Sequence, residues 1–203
     1  MSRVDPDLLE RALAAIGKPA PQSPLPTETA TEEPDAVALA AALCRRFEGF
    51  YSAPYLCPAG VPTIGYGATH YLDGRPVKMT DLPISREAAD RLLVRMIQRT
   101  YLPAVLRLCP ALVNESADRL ASIIDFTFNL GAGQLGASTL RRKINAGDWD
   151  AVPGELRKWV RGGGRVLRGL VLRREEECKP FTPGDKRGDN RASSAVRMST
   201  RHL

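Results

Sequence analysis

Apolar residues recur at helical spacing along most of the chain, and polar residues fill the positions between them. Helices are predicted over six segments, at residues 36–48, 86–102, 115–130, 139–146, 150–160 and 170–178. Between residues 58 and 79 the pattern changes, because β-prone residues alternate with glycines and Asp73-Gly74 favours a tight turn. We therefore expect a mostly helical α+β domain with one small antiparallel sheet near its start.

The two ends of the chain lack this pattern. Residues 17–35 are rich in Pro, Thr, Ser and Glu and hold almost no large apolar side chain. Such a segment cannot bury enough surface to offset the entropy lost on ordering, so we interpret it as a disordered linker. Residues 1–16 before it predict a short helix, and residues 183–203 predict a basic disordered tail. The folded domain is therefore expected at residues 36–182.

The charge of the chain restricts the class of partner. Lys and Arg number 29 against 23 Asp and Glu, although residues 1–36 carry 3 basic and 7 acidic side chains. A basic domain favours an anionic polymer, namely nucleic acid, a lipid surface or bacterial cell wall. The longest apolar run has 9 residues, whereas a membrane span needs about 20. With no secretory signal apparent either, we expect a cytoplasmic chain without a transmembrane segment.

The cysteines and histidines argue against a metal site. Cys44, Cys57, Cys109 and Cys178 form no CxxC pair, and the sequence has only 2 histidines. We expect reduced thiols, no metal and no cofactor.

Candidate chemistry lies in the segment RRFEGFYSAPYLCPAGVPTIGYGATHY. Glu48 ends a predicted apolar helix; eight residues separate it from Cys57, and five more separate Cys57 from Thr63. Aromatic neighbours would desolvate the Glu48 carboxyl and favour its protonated form, which can donate a proton to a leaving oxygen. The alternative is a helix-terminal glutamate in a surface salt bridge.

The stretch EGFYSAPYLCPAGVPTIGYG resembles the catalytic signature of the phage lysozymes, glycoside hydrolase family 24, which are endolysins that cut peptidoglycan. In that family the second position is aspartate or, in a subset, cysteine. Four later motifs are similar to the family's helical lobe in order and spacing, namely FTFNLGAG, STLRRKINAGDW, RKWVRGGG and GLVLRREEE. The resemblance covers roughly residues 37–182 and implies a two-lobed, lysozyme-like fold.

Carried over to this sequence, the resemblance implies that Glu48 is the general acid on the β-1,4 bond between N-acetylmuramic acid and N-acetylglucosamine. Thr63 would help to hold the attacking water. The Cys57 thiolate could stabilise the developing cation or take a proton from water, or it could attack the sugar directly, with retention. An inert thiol is the further alternative. Ionisation of the thiol would be helped by a cation such as Arg45 or Arg46.

Three more residues are expected to bind substrate. The resemblance implies that Asn129 hydrogen-bonds the glycan, although it could also be a local helix cap. It also implies that Arg174, with Arg173 before it, lies near the glutamate, the alternative being an ion pair within the same helix. The Tyr66 ring is expected to line the sugar groove.

Rival functions remain at this point: a nucleic-acid-binding protein, a wall-binding protein without catalysis and a lytic transglycosylase. The sequence carries no recognisable DNA-binding motif, so we expect no nucleic-acid partner. The family resemblance implies peptidoglycan glycan strands as the substrate. We expect a monomer, and the missing signal places it in the host cytoplasm. Access to the wall would come through a separate holin-type protein.

Overall fold

The computed structural model describes residues 35–57 and 59–182. The predicted helix at 1–16, all but the last residue of the predicted linker, and the predicted tail at 183–203 lie outside the described residues. No helix in the described part is both long and apolar enough to cross a lipid bilayer.

Helices account for most of this structure, as expected from the apolar periodicity. They are α1 Ala36–Phe47, α2 Arg86–Met96, α3 Leu102–Leu108, α4 Ala117–Leu130, α5 Ala132–Ala137, α6 Thr139–Asn145, α7 Val152–Leu156 and α8 Arg168–Cys178. A π-helical turn, Ile97–Tyr101, joins α2 to α3. Short 3-10 turns lie at Pro110–Asn114, Trp149–Ala151 and Lys179–Phe181.

Side-chain caps fix where the main helices begin. Asp35 accepts a hydrogen bond of 2.7 Å from the Ala38 N–H at the start of α1. Ser85, Ser116 and Ser138 cap α2, α4 and α6 in the same way. Each cap satisfies a backbone N–H that has no partner within its helix, so the helix starts are specified locally.

The small sheet lies earlier in the chain than the sequence pattern predicted. Strand β1, Tyr51–Leu56, pairs antiparallel with β2, Pro62–Gly65. Strand β1 was missed because it contains Pro54 and is largely exposed, as an unpaired edge allows. A second two-stranded pair, β3 Arg161–Gly162 with β4 Arg165–Val166, was not predicted, since its glycine-rich sequence is typical of a turn.

The core is built around α4, which packs against α1, α5 and α8. Its residues 121–127 are all buried, including one carboxylate, Asp125. A smaller apolar cluster packs the region after β2 onto α2; it consists of Ile64, Ala68, Val77 and Leu92. Helices α1 and α8 therefore both border the central helix, and the β1–β2 hairpin packs against α2.

Candidate active site

Glu48 lies where α1 gives way to the hairpin. Its N–H donates to the Cys44 carbonyl at 2.8 Å, and its extended ψ of 143° directs the backbone towards β1. Arg173 of α8 donates from Nη1 to Glu48 Oε1 at 2.6 Å. The Arg173 side chain is 3% exposed, whereas that of Glu48 is 31% exposed. A buried guanidinium therefore holds one side of the carboxyl, and solvent reaches the other side.

Arg173 is itself held by the carboxylate at the centre of the core. Its Nε and Nη2 donate to the two oxygens of Asp125, each at 2.8 Å. The Cys44 thiol donates to Asp125 Oδ1 at 3.2 Å. Paired, charge-assisted bonds of this geometry are strong and directional. Side chains from α1, α4 and α8 thus fix the guanidinium that orients Glu48.

Arg174 makes the ion pair within its own helix that was the alternative to a substrate contact. It is fully buried, and its Nη2 donates to Glu177 Oε1 at 2.6 Å and to Asn129 Oδ1 at 3.2 Å. Its guanidinium also lies over the Phe126 ring, 5.1 Å from the centroid. Arg174 therefore presents no surface to a glycan, and the basic contact to Glu48 is made by its neighbour Arg173.

Burial is the main cause of the shift in the pKa of Glu177. The pKa of this carboxyl is raised well above its usual range, first because the side chain is withdrawn from water and then because Asp125 adds negative charge nearby. Arg174 opposes the shift. A fully buried carboxyl beside a second carboxylate favours its neutral form.

Cys57 and Thr63 meet at the other end of the hairpin. Cys57 follows β1 directly and is partly exposed, while Thr63 is buried on β2. The pKa of the Cys57 thiol is lowered, chiefly by hydrogen bonding to the backbone of Val61 and then of Ala59, with a smaller contribution from the Thr63 side chain. The turn between the strands therefore stabilises a thiolate.

The cations expected to activate Cys57 are engaged elsewhere. Arg45 pairs with Asp90 at 2.7 Å, and Arg46 pairs with Glu176 at 3.0 Å. Hydrogen bonds rather than a cation thus lower the pKa of the thiol, a cause that depends on turn geometry and could not be read from residue types.

Tyr55 connects the two ends of this site. It lies directly opposite Thr63 in the hairpin, so both side chains share one face of the sheet. The pKa of Tyr55 is raised, first by burial and then by the charges of Tyr51, Glu48 and Cys57. The carboxyl and the thiol are thus both within electrostatic range of a single phenol.

The remaining predicted residues lie further from these groups or deeper in the fold. Asn129 is partly exposed in the last turn of α4 and accepts its bond from Arg174. Tyr66 follows β2 instead of lying on it, and it is only 3% exposed. Its hydroxyl accepts from Arg86 Nη1 at 3.0 Å, and its ring packs against Phe50. Tyr66 is therefore a core residue with little surface for a sugar.

Asp125 is the residue that sequence reasoning missed. It stands in the apolar run ASIIDFTFNL, where every neighbour predicts burial. A buried carboxylate requires a partner, because desolvation of an unpaired charge is very costly. From that requirement an ion pair of Asp125 could have been predicted, but Arg173 could not have been identified as its partner.

The sequence of this chain matches a known protein family. The sequence model described as phage lysozyme matches residues 45–177, a range that contains Glu48, Cys57, Thr63 and Arg173. The chain belongs to the phage lysozyme family. This membership makes the described domain one of the lysozyme class of glycoside hydrolases. Whether Cys57 places it in a cysteine-bearing subset of the phage lysozymes stays a prediction.

Several members and neighbours of the phage lysozyme family are similar to this chain. The endolysin of Bacillus phage B103 is 34% identical over 163 residues, which are 77% of this chain and 57% of that relative. The chain thus spans little more than half the length of that relative. The endolysin from Escherichia coli O157:H7 phage FAHEc1 is 27% identical with a TM-score of 0.60, covering 71% of this chain and 91% of its own. The muramidase domain of SpmX from Asticaccaulis excentricus is 28% identical with a TM-score of 0.59, covering 71% and 95% respectively.

Proposed function

We propose that this chain is a phage endolysin that hydrolyses the β-1,4 bond between N-acetylmuramic acid and N-acetylglucosamine in peptidoglycan. The observation that carries the proposal is the setting of Glu48, whose carboxyl is fixed by Arg173 at 2.6 Å yet remains 31% exposed. A proton donor must be both oriented and accessible, and this carboxyl meets both conditions. The names of similar proteins, endolysin and muramidase domain, support the same substrate.

In this mechanism Glu48 begins as the acid. It donates its proton to the glycosidic oxygen while the bond between that oxygen and the sugar C1 breaks. The carboxylate that remains is stabilised by the Arg173 guanidinium already beside it. Because Asp125 holds Arg173 through two further bonds, the guanidinium need not move when the charge forms.

Cys57 and Thr63 act on the opposite face of the sugar. The Thr63 hydroxyl helps to hold a water, and the Cys57 thiolate takes its proton as the water oxygen bonds to C1. This route inverts the configuration at C1. It is favoured here because the hydrogen-bonded thiolate and the hydroxyl are neighbours at the same end of the hairpin. Direct attack of Cys57 Sγ on C1 would instead give a covalent intermediate and retention.

The biological setting is part of the proposal. We infer that the enzyme acts as a monomer on glycan strands, accumulates in the host cytoplasm and reaches the wall after a separate holin-type protein opens the membrane. No metal or cofactor enters the proposed steps.

Purified peptidoglycan tests the proposal. The full chain should release reducing muramic acid ends, and Glu48→Gln should release almost none, because the amide keeps the shape but cannot donate the proton. Circular dichroism of Glu48→Gln controls for folding. Products lighter by one water would identify a lytic transglycosylase instead, and substantial cleavage by Glu48→Gln would exclude Glu48 as the acid.

A parallel measurement addresses the opposite face of the sugar. Proton NMR of the fresh product reports its anomer and separates inversion from retention. Cys57→Asp should remain active, because it restores the commoner family residue, whereas Cys57→Ala should lose most activity. Normal cleavage by Cys57→Ala would show that the thiol takes no part in the reaction.

A further inference from the structure

Two tyrosines of β1 form an aromatic pair that the core does not use. The rings of Tyr51 and Tyr55 are 4.3 Å apart at their centroids and inclined by 34°. Neither ring belongs to the hydrophobic clusters formed by the described residues, and Tyr51 is 51% exposed. Four residues of regular strand span about 13 Å, so this contact depends on the irregular register between the two tyrosines. The fold thus brings together two rings and leaves one face open to solvent.

This pair extends between the two ends of the candidate active site. A β-carbon at Gly49, the residue after Glu48, would lie 3.0 Å from Tyr51 Cε2, so the Tyr51 ring covers the backbone beside the acid. Tyr55 lies opposite Thr63 in the hairpin. The charges of Glu48 and Cys57 both reach its phenol. The aromatic surface therefore runs from the proposed acid to the proposed thiolate.

We propose that Tyr51 and Tyr55 form an aromatic surface that contacts the substrate. This surface binds the apolar face of an N-acetylated pyranose at the glycosidic bond that is cut. The inference rests on the proposed function and assigns its sugar contact to the hairpin instead of to the buried Tyr66. Aromatic rings bind such faces well because the axial C–H groups meet the π-surface while equatorial hydroxyls stay hydrated. Tyr51 supplies the open ring face, and Tyr55 supports it from the hairpin.

Binding can be measured without cleavage in the full chain carrying Glu48→Gln. The probe is a soluble glycan strand of alternating N-acetylglucosamine and N-acetylmuramic acid, freed of its peptides by an amidase. In this background Tyr51→Ala and Tyr51→Leu should each weaken binding about tenfold by isothermal titration calorimetry. Tyr51→Phe should keep most of the affinity, because the ring is retained. Val113→Ala, which trims an apolar side chain that is 62% exposed on the helical part, should bind like the parent.

The outcomes distinguish failure of the proposed sugar contact from failure of the proposed function on which it rests. Tyr51→Leu keeps apolar bulk without a ring. Unchanged affinity in this variant would overturn the proposed sugar contact, even if Tyr51→Ala fails to fold. Equal weakening by Tyr51→Phe and Tyr51→Leu would also overturn it, since the hydroxyl and not the ring would then be the contact. Release of reducing ends by the otherwise unmodified chain is scored separately. If those ends are absent, the proposed function itself fails.

Discussion

Replacing Asp125 with asparagine removes one negative charge from the centre of the core while almost conserving shape. The wild-type carboxylate accepts two bonds of 2.8 Å from Arg173 and one of 3.2 Å from the Cys44 thiol. Asparagine keeps one acceptor oxygen but turns an amide N–H₂ towards the guanidinium or the thiol. Arg173 would then stay buried with Glu48 as its remaining strong acceptor, and Glu48 is partly solvated.

The expected cost follows from burial. Removing one partner of a buried ion pair typically costs about 3–5 kcal/mol, because the other charge is left uncompensated. Since asparagine retains one acceptor, we expect about 3 kcal/mol from the lower end of that range. For a domain of this size the fall in Tm should be roughly 6–12 °C. Cleavage measured well below both Tm values should also fall, because Arg173 no longer holds Glu48 in one position.

The chain offers a matched control in the pair Arg157–Glu175. Its two bonds, 2.8 and 2.9 Å from Nε and Nη2, form the same two-point contact as Arg173–Asp125, but both side chains are 48% exposed. Glu175→Gln should therefore cost under about 1 kcal/mol. Urea unfolding followed by tryptophan fluorescence gives both values. Equal losses in Asp125→Asn and Glu175→Gln would refute the reasoning, because burial would then have no effect on the value of the pair.

Two further expectations concern protonation. Because the pKa of Glu177 is raised in the folded state, the native protein holds more protons than the unfolded chain above the ordinary glutamate pKa of about 4.3, and stability should fall as pH rises through that window. Glu177→Gln should flatten this fall between about pH 5 and about pH 8 in urea titrations, and an unchanged slope would contradict it. Iodoacetamide should modify Cys57 first, at a pH below the usual thiol value of about 8.5, since its pKa is lowered. Cys109 and Cys178, whose pKa burial raises to about 11, should stay unmodified by mass spectrometry, and Cys57→Asp should take up no label.

Local signals explain which helices could be predicted. The starts of α1, α2 and α6 coincide with Asp35, Ser85 and Ser138, whose side chains cap the backbone directly. Helix α8 is different, because its buried residues include Arg173, Arg174 and Glu177. Charged residues that face inward give no apolar periodicity, so the sequence could indicate a helix there without identifying its buried face.

The candidate active site likewise combines residues that are close in sequence with contacts that form only in the folded protein. Glu48, Cys57 and Thr63 lie within 16 consecutive residues and could be proposed together because that segment resembles the phage lysozyme signature. The bond between Arg173 and Glu48 joins residues 125 positions apart, and Arg173 to Asp125 spans 48. Such contacts depend on how α8 packs against α4 and α1. The family resemblance placed Arg173 and Arg174 near the acid, but it could not tell which of the two contacts Glu48.

The charges behind Glu48 explain why a core would retain so costly a cluster. Two guanidiniums, Arg173 and Arg174, are enclosed with Asp125 and Glu177, and burial favours the neutral form of Glu177. Asp125 is the carboxylate that offsets the charge of Arg173 directly, through two bonds of 2.8 Å. In the proposed mechanism Glu48 becomes a carboxylate 2.6 Å from Arg173 as it gives up its proton. A guanidinium that Asp125 already holds in place stabilises this developing charge without reorganising, which is the condition for catalysis by a fixed charge.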